Sequence, residues 1–265
     1  MCIRDRYTGP HLPKQDNICI SISPSKFNGT STASWDKSGI TIDADDFTNG
    51  NSANYTPTFQ SNVSSISGAG TSKFRMGNNS SKLQTGSITV NFWFNLEGIS
   101  INVGSNNNWR GLLWCNGGSA GYPVTMVLEQ SGYINFSTGH TDGYRRYLNS
   151  SFTPVQATSN GWQMITYTYN KSTGTATAYK NGSLVRTGAM TTNSSNASPT
   201  SSGTALSYSN YTSAGYGHGG TNTGSNPGGD GLVPGEWGVT QIWNLALTAA
   251  ETKLVYERTK SGYGL

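Results

Sequence analysis

The stretch Trp162 to Gly188, WQMITYTYNKSTGTATAYKNGSLVRTG, restricts the fold more than any other part of the chain. Gln163, Ile165, Tyr167 and Tyr169 alternate with Met164, Thr166 and Thr168. This is the period of a strand, carried by β-branched and aromatic residues. Asn170 to Gly174 is turn-forming by composition, and a second strand is predicted over Thr175 to Lys180. Asn181-Gly182 then sends the chain back through Ser183 to Thr187. Asn-Gly accepts the positive φ angles of a type I′ turn, the turn that matches strand twist.

The same alternation recurs elsewhere. In Ser87 to Leu96, Ile88, Val90, Phe92, Phe94 and Leu96 lie on one face, with Thr89, Asn91, Trp93 and Asn95 opposite. The apolar face belongs in a sandwich core. Trp93 projects the other way, onto either a second layer of contacts or a ligand surface. Further strands are predicted at Ile18 to Ile22, Lys26 to Trp35, Ile40 to Asp43, Gly111 to Cys115 and Gly238 to Asn244. A hairpin is predicted over Val124 to Glu129 and Tyr133 to Ser137. Thr248-Ala-Ala-Glu251 reads as a capping box opening one helix, with Leu254, Val255 and Tyr256 as its apolar side and Lys260 to Gly262 as its end. About a dozen strands at this spacing, with one helix, predict two packed antiparallel sheets.

Composition narrows the partners. Charged residues make up 11% of the 265, well under the ~25% usual for globular domains. Ser, Thr, Asn and Gly take their place, a composition that suits exposed β-proteins. The net charge of +4 is scattered, with Arg145-Arg146 the one basic pair of note. Nucleic-acid binding would require a basic stripe, so it is excluded as a partner class. No apolar run reaches the ~18 residues of a membrane-spanning helix. Three cysteines, Cys2, Cys19 and Cys115, are an odd number, which argues against a disulfide framework. Two buried thiols are the preferred reading, with a Cys19–Cys115 bridge as the alternative. Met1 to Arg6 lacks periodicity, and residues 1–16 are set apart as a non-native or disordered leader. Residues 17–260 are read as one sandwich domain and 261–265 as a tail.

Four segments in order carry a resemblance. They are Lys26 to Gly29 (KFNG), Ser87 to Phe94 (SITVNFWF), Trp162 to Gly182, and Gln241 to Tyr256 (QIWNLALTAAETKLVY). Together, from about Ser23 to Glu257, the chain resembles the laminin-G-like domains of the concanavalin A-like lectin/glucanase superfamily, in the branch found in bacterial and phage surface proteins. The resemblance implies an all-β fold: a two-sheet antiparallel jelly-roll β-sandwich with one short C-terminal helix. It also implies a curved sheet whose concave face and rim loops bind glycans. Many members hold a structural Ca²⁺ between an early Phe-Asp-Gly and an acid in the last strand. Here those positions are Asn28 and Gly238-Val239. Ca²⁺ needs several oxygen ligands, carboxylates among them. Asp43, Asp45 and Asp46 are the weak substitute candidates, with a solvated loop as the preferred reading, so no cofactor is predicted.

The superfamily's glucanases carry Glu-x-Asp-x-x-Glu, which places acids close enough for retaining hydrolysis. No such run occurs; Glu97, Glu129 and Glu236 are isolated. The reading is therefore non-catalytic, with a glycan-acting enzyme using a different site, or a purely structural subunit, as alternatives. Sugars stack C–H faces on aromatic rings and bond their hydroxyls to polar groups, so aromatic residues in polar loops are the candidates. The glycan-binding or interface set is Trp109, Arg110, Tyr122, His140, Asp142, Tyr144 and Arg145, with Tyr211, Tyr216 and His218. Trp93, Trp114 and Trp162 are assigned to the core. The expected partners are a glycan or polysaccharide and neighbouring virion or surface subunits, including further copies of the chain. The expected location is a virion or the extracellular or cell surface.

Overall fold

The structure, a computed structural model, describes residues 12–22, 33–34, 41–43, 58–60, 65–68, 75–76, 86–95, 109–116, 124–129, 133–139, 145–148, 155–156, 161–192, 211–214 and 235–265. Among these lie eighteen strands, more than the dozen predicted, because several are pairs or triplets of residues too short to register as alternation. In chain order the first nine are β1 (Ile18–Ile22), β2 (Ala33–Ser34), β3 (Thr41–Asp43), β4 (Thr58–Gln60), β5 (Ser65–Gly68), β6 (Arg75–Met76), β7 (Ile88–Asn95), β8 (Trp109–Asn116) and β9 (Val124–Glu129). The others are β10 (Tyr133–Gly139), β11 (Arg145–Leu148), β12 (Val155–Gln156), β13 (Gln163–Asn170), β14 (Thr175–Lys180), β15 (Ser183–Ala189), β16 (Thr191–Thr192), β17 (Tyr211–Ala214) and β18 (Gly235–Trp243), followed by the helix α1 (Ala249–Thr259).

They form two antiparallel sheets, as expected. The first has the order β15-β14-β13-β7-β18-β5-β4, with β1 also on β18. The second has the order β16-β11-β10-β9-β8-β17-β6-β3-β2, with β12 on β10. The predicted hairpin β14–β15 closes through Asn181 at φ 50° and Gly182 at φ 73°, the two positive values a type I′ turn demands. Asn181 also accepts the Met164 N–H through its side chain at 2.8 Å, which ties the turn to β13.

The core between the sheets follows the alternation. Ile88, Val90, Phe92 and Phe94 of β7 are buried, and their ladder partners Tyr169, Tyr167 and Ile165 on β13 are buried with them. From the second sheet come Ile134, Phe136 and Leu148. Tyr167 bridges the layers: its ring stacks on Phe136 at 4.6 Å, and its hydroxyl donates to the Ile134 carbonyl at 2.7 Å. A phenol buried in this way needs such an acceptor.

The other face of the first sheet is buried too, so β7 and β13 are covered on both sides. Here the cover is α1 and the segments flanking it. Trp93, Met164, Trp243, Leu247, Val255 and Tyr263 form one cluster, with Leu12, Ile18, Trp162, Val239, Leu245 and Tyr256 packed against it. Trp93 lies between Tyr256 at 5.8 Å and Tyr263 at 4.2 Å, and its indole N–H donates to Thr259 Oγ1 at 3.0 Å. Trp162 tilts onto Tyr263 at 4.5 Å. The polar residues of this face satisfy one another under the helix. Thr166 Oγ1 donates to Asn91 Oδ1 at 2.7 Å, and Asn91 Nδ2 donates to Gln241 Oε1 at 3.3 Å. Thr89 donates to the Leu245 carbonyl at 2.8 Å and accepts from the Leu247 N–H at 2.9 Å. A buried polar layer is tolerated only when paired in this way.

The capping box is present. Thr248 Oγ1 accepts the Glu251 N–H at 3.3 Å, and Glu251 Oε2 accepts the Thr248 N–H at 2.8 Å. Of the predicted apolar side of α1, Val255 is buried and Tyr256 packs against Trp93. Thr252 and Val255 are buried whereas Leu254 is 37% exposed, because the sheet meets α1 along a stripe spaced three to four residues apart. The helix runs on into a 3-10 turn over Lys260–Tyr263, which carries Tyr263 back onto Trp93. Packing also begins ahead of residue 17. Gln15–Asn17 form a 3-10 turn, the Pro13 carbonyl accepts from the Trp243 indole at 3.0 Å, and Asn17 Nδ2 donates to Asn244 Oδ1 at 3.1 Å.

Candidate functional site

β7 and β13 of the first sheet are covered on both faces, and the candidate surface is the face of the second sheet turned away from them. Residues directly opposite in an antiparallel ladder share a face, and neighbours along a strand alternate. On β10, Ile134, Phe136 and Thr138 are buried toward the first sheet. Asn135 and Ser137 therefore belong to the outer face. From Ser137 the register runs without a break across six strands. Ser213 on β17 pairs with Trp114 on β8, Trp114 with Thr125 on β9, Thr125 with Ser137, Ser137 with Tyr147 on β11, and Tyr147 with Thr191 on β16. At the usual strand spacing this row spans ~24 Å, with Trp114 and Tyr147 ~14 Å apart and two hydroxyl residues between them.

The neighbouring rows continue the chemistry. On one side Gly139 pairs with Arg145, and Tyr211 pairs with Asn116. On the other are Gly111, Val127 and Asn135 in register, then Trp109 opposite Glu129. By register, Trp114, Thr125, Ser137 and Tyr147 thus share one row, flanked by the rows of Arg145 and of Gly111. Among the described residues, the one α-helix is committed to the first sheet.

The predicted residues separate on this frame. Trp109, Arg145 and Tyr211 fall on the outer face, but at different ends. Arg145 and Tyr211 stand at the Asn116 end of β8, and Trp109 stands at the opposite end. Arg110 is opposite Leu128, itself opposite buried Ile134, so it lies in the row that faces the first sheet. Tyr122, His140, Asp142, Tyr144, Tyr216 and His218 lie outside the described residues.

Sequence reasoning placed Trp114 in the core, and the register places it on the outer face. The reason is a β-bulge between Gly111 and Leu113. Trp109 and Trp114 are an odd number of residues apart, which plain alternation puts on opposite faces; the extra residue returns them to one. Tyr147, Thr125 and Ser137 were not singled out. The alternation of Ile134 and Phe136 with Asn135 and Ser137 is the signal that marks them.

Of the calcium candidates, Asp43 pairs in register with Arg75 in the β3–β6 ladder. Asp45 and Asp46, like Asn28 and the KFNG segment, lie outside the described residues. At Gly238, where the family places an acid, a Cβ would lie 2.4 Å from the Tyr263 hydroxyl, and the Val239 N–H donates to that same hydroxyl at 2.7 Å. Tyr263 fills the space a carboxylate side chain would need, so these residues do not fit the family's calcium pair.

Comparison with known proteins agrees with the architecture. The family model for laminin-G-type domains, described as concanavalin A-like lectin/glucanases superfamily, matches residues 67–253. No curated protein matches the sequence. Solved structures do. The binding domain of botulinum neurotoxin DC, in complex with rat synaptotagmin II, superposes with TM-score 0.56 at 14% identity, over 92% of this chain and 52% of that one. A botulinum neurotoxin type C structure, whose cell entry is described as dependent on two ganglioside molecules, gives 0.57 at 13%, over 92% and 52%. The binding domain of Paraclostridial Mosquitocidal Protein 1 gives 0.56 at 13%, over 91% and 52%. The chain spans about half the length of these structures. At such identities the likeness is one of fold.

Proposed function

The chain belongs to the concanavalin A-like lectin/glucanase superfamily, and from that premise we propose that it is a non-catalytic, lectin-like domain that binds glycan on the outer face of its second sheet. The observation that carries this reading is the cross-strand row with Trp114 and Tyr147 on either side of Thr125 and Ser137. Rings for stacking and hydroxyls for hydrogen bonding are what a neutral sugar surface requires. One structural relative supports it, since its description gives cell entry dependent on interaction with two ganglioside molecules. Enzymatic turnover finds no support in the sequence, where the Glu-x-Asp-x-x-Glu run is missing, nor in this row, which contains no acid.

The domain is displayed on a virion or cell surface, as a capsid decoration, tail-fibre or appendage module, where it meets glycan and neighbouring subunits. The Ser/Thr/Asn/Gly-rich composition and low charge favour that setting. No helix among the described residues is long and apolar enough to cross a membrane. A polysaccharide array tests the glycan reading: wild-type protein is retained, and both Trp114→Ala and Trp109→Ala lose retention at nearly unchanged melting temperature. An array without signal for the wild type removes the reading. Multimers in sedimentation, or co-purification with particles, test the subunit contacts.

A further inference from the structure

We infer that Asn181 is a modification site, where the β14–β15 turn withholds a deamidation that opening of the hairpin releases and makes permanent. The sequence supplies the chemistry. In Asn181-Gly182 the backbone nitrogen after the asparagine belongs to a glycine, so no side chain shields it. That nitrogen attacks Asn181 Cγ. The N–Cγ bond forms, the Cγ–Nδ2 bond breaks, and Nδ2 leaves as ammonia with the proton of the Gly182 amide. Water then opens the cyclic imide at either carbonyl and gives aspartate or isoaspartate, with nothing oxidised or reduced.

The fold depends on this same pair. Asn181 and Gly182 both have positive φ, at 50° and 73°. A Cβ on Gly182 would lie 2.9 Å from Tyr256 Cβ and 3.2 Å from Lys253 Cα, so α1 packs on the turn where only glycine fits. Asn181 is bound to Met164 twice. Its N–H donates to the Met164 carbonyl at 2.8 Å, and its Oδ1 accepts the Met164 N–H at 2.8 Å. Met164 is fully buried in the cluster around Trp93. Ring closure requires rotation about the Asn181 Cα–C bond and release of Oδ1 from Met164. The type I′ turn fixes the first, and the hydrogen bond opposes the second. The reaction is therefore confined to molecules in which the hairpin has left β13 and α1. Isoaspartate routes the backbone through the former side chain, so the turn cannot renew both bonds to Met164. A reversible opening thus becomes a one-way loss, as when an unfolded state is chemically altered faster than it refolds.

The test compares rates by peptide mapping, which separates Asn181 from the Asn-Gly pairs at Asn28, Asn49 and Asn116. The folded full chain and a synthetic peptide Thr175–Gly188 are held in the same warm, mildly alkaline buffer, and conversion at Asn181 is followed by mass spectrometry. The folded chain should react on the order of tenfold or more slowly than the peptide, since a hydrogen bond and the turn must both be given up first. In urea above the unfolding midpoint the two rates should converge. Val255→Ala, which loosens α1 without touching the turn, should raise the rate in native buffer. If that variant does not fold, wild type at rising urea below its midpoint replaces it, and its rate should climb with the opened fraction. The purified isoaspartate form should unfold at lower urea than wild type. A folded chain that reacts as fast as the peptide overturns the inference. So does a peptide that does not react, a rate that ignores both Val255→Ala and urea, or an isoaspartate form with the wild-type midpoint.

Discussion

Trp93 and Trp114 occupy equivalent stations and have opposite fates. Each is near the middle or end of a long strand, and each falls by register in a row alternate to the residues that fill the core between the sheets. Trp93 is fully buried because α1 and the turn after it deliver Tyr256, Thr259 and Tyr263 to its ring. Trp114 lies on a face to which the described structure brings no helix. An aromatic row on the outside of a sandwich is therefore matched either by the chain's own lid or by something that arrives from outside. The first sheet takes the first course, and the glycan reading assigns the second course to the second sheet.

The comparison can be broken by mutation. Trp93→Ala should cost ~3–5 kcal/mol, seen as a large fall in the urea midpoint, because it empties the centre of the cluster. Gly238→Ala should come next, at ~1–3 kcal/mol, since its Cβ would lie 2.4 Å from the Tyr263 hydroxyl. Tyr263→Phe should cost ~1–3 kcal/mol by stranding the Val239 N–H. It also has a pH signature. Burial holds the Tyr263 phenol above its ordinary value, so its contribution is complete below about pH 10 and declines as pH rises beyond that; Tyr263→Phe should flatten this part of an alkaline unfolding curve. Thr248→Ala should cost about 1 kcal/mol through the capping box. The smallest effect on stability is the sharpest test: Trp114→Ala should stay within ~0.5 kcal/mol of wild type. A loss as large as that of Trp93→Ala would mean that the second sheet is covered as well, and the contrast would disappear.

The fold was legible where one face is strictly apolar and the turn chemistry is strong. Ile88 to Phe94 and the Asn181-Gly182 hairpin illustrate both, since a one-residue slip in either would turn an entire apolar set to water. The capping box was legible because it is local. The candidate site was less so. Trp114 could not be placed by counting, since a bulge leaves no mark on the hydrophobic pattern, and Tyr147 gains meaning only from partners on strands far away in sequence. Tyr263 was read as part of a tail because nothing local announces that a lone aromatic after a helix folds back to fill a space left by Gly238.

The Leu12 to Asn17 segment and the Lys260–Tyr263 turn both rest on the first sheet, and Lys14 even approaches Glu251 of the helix at 3.8 Å. Entry and exit of the described chain thus share the back of the sandwich. Any polypeptide continuing from either segment would leave on the side of the first sheet that α1 covers, away from the second sheet.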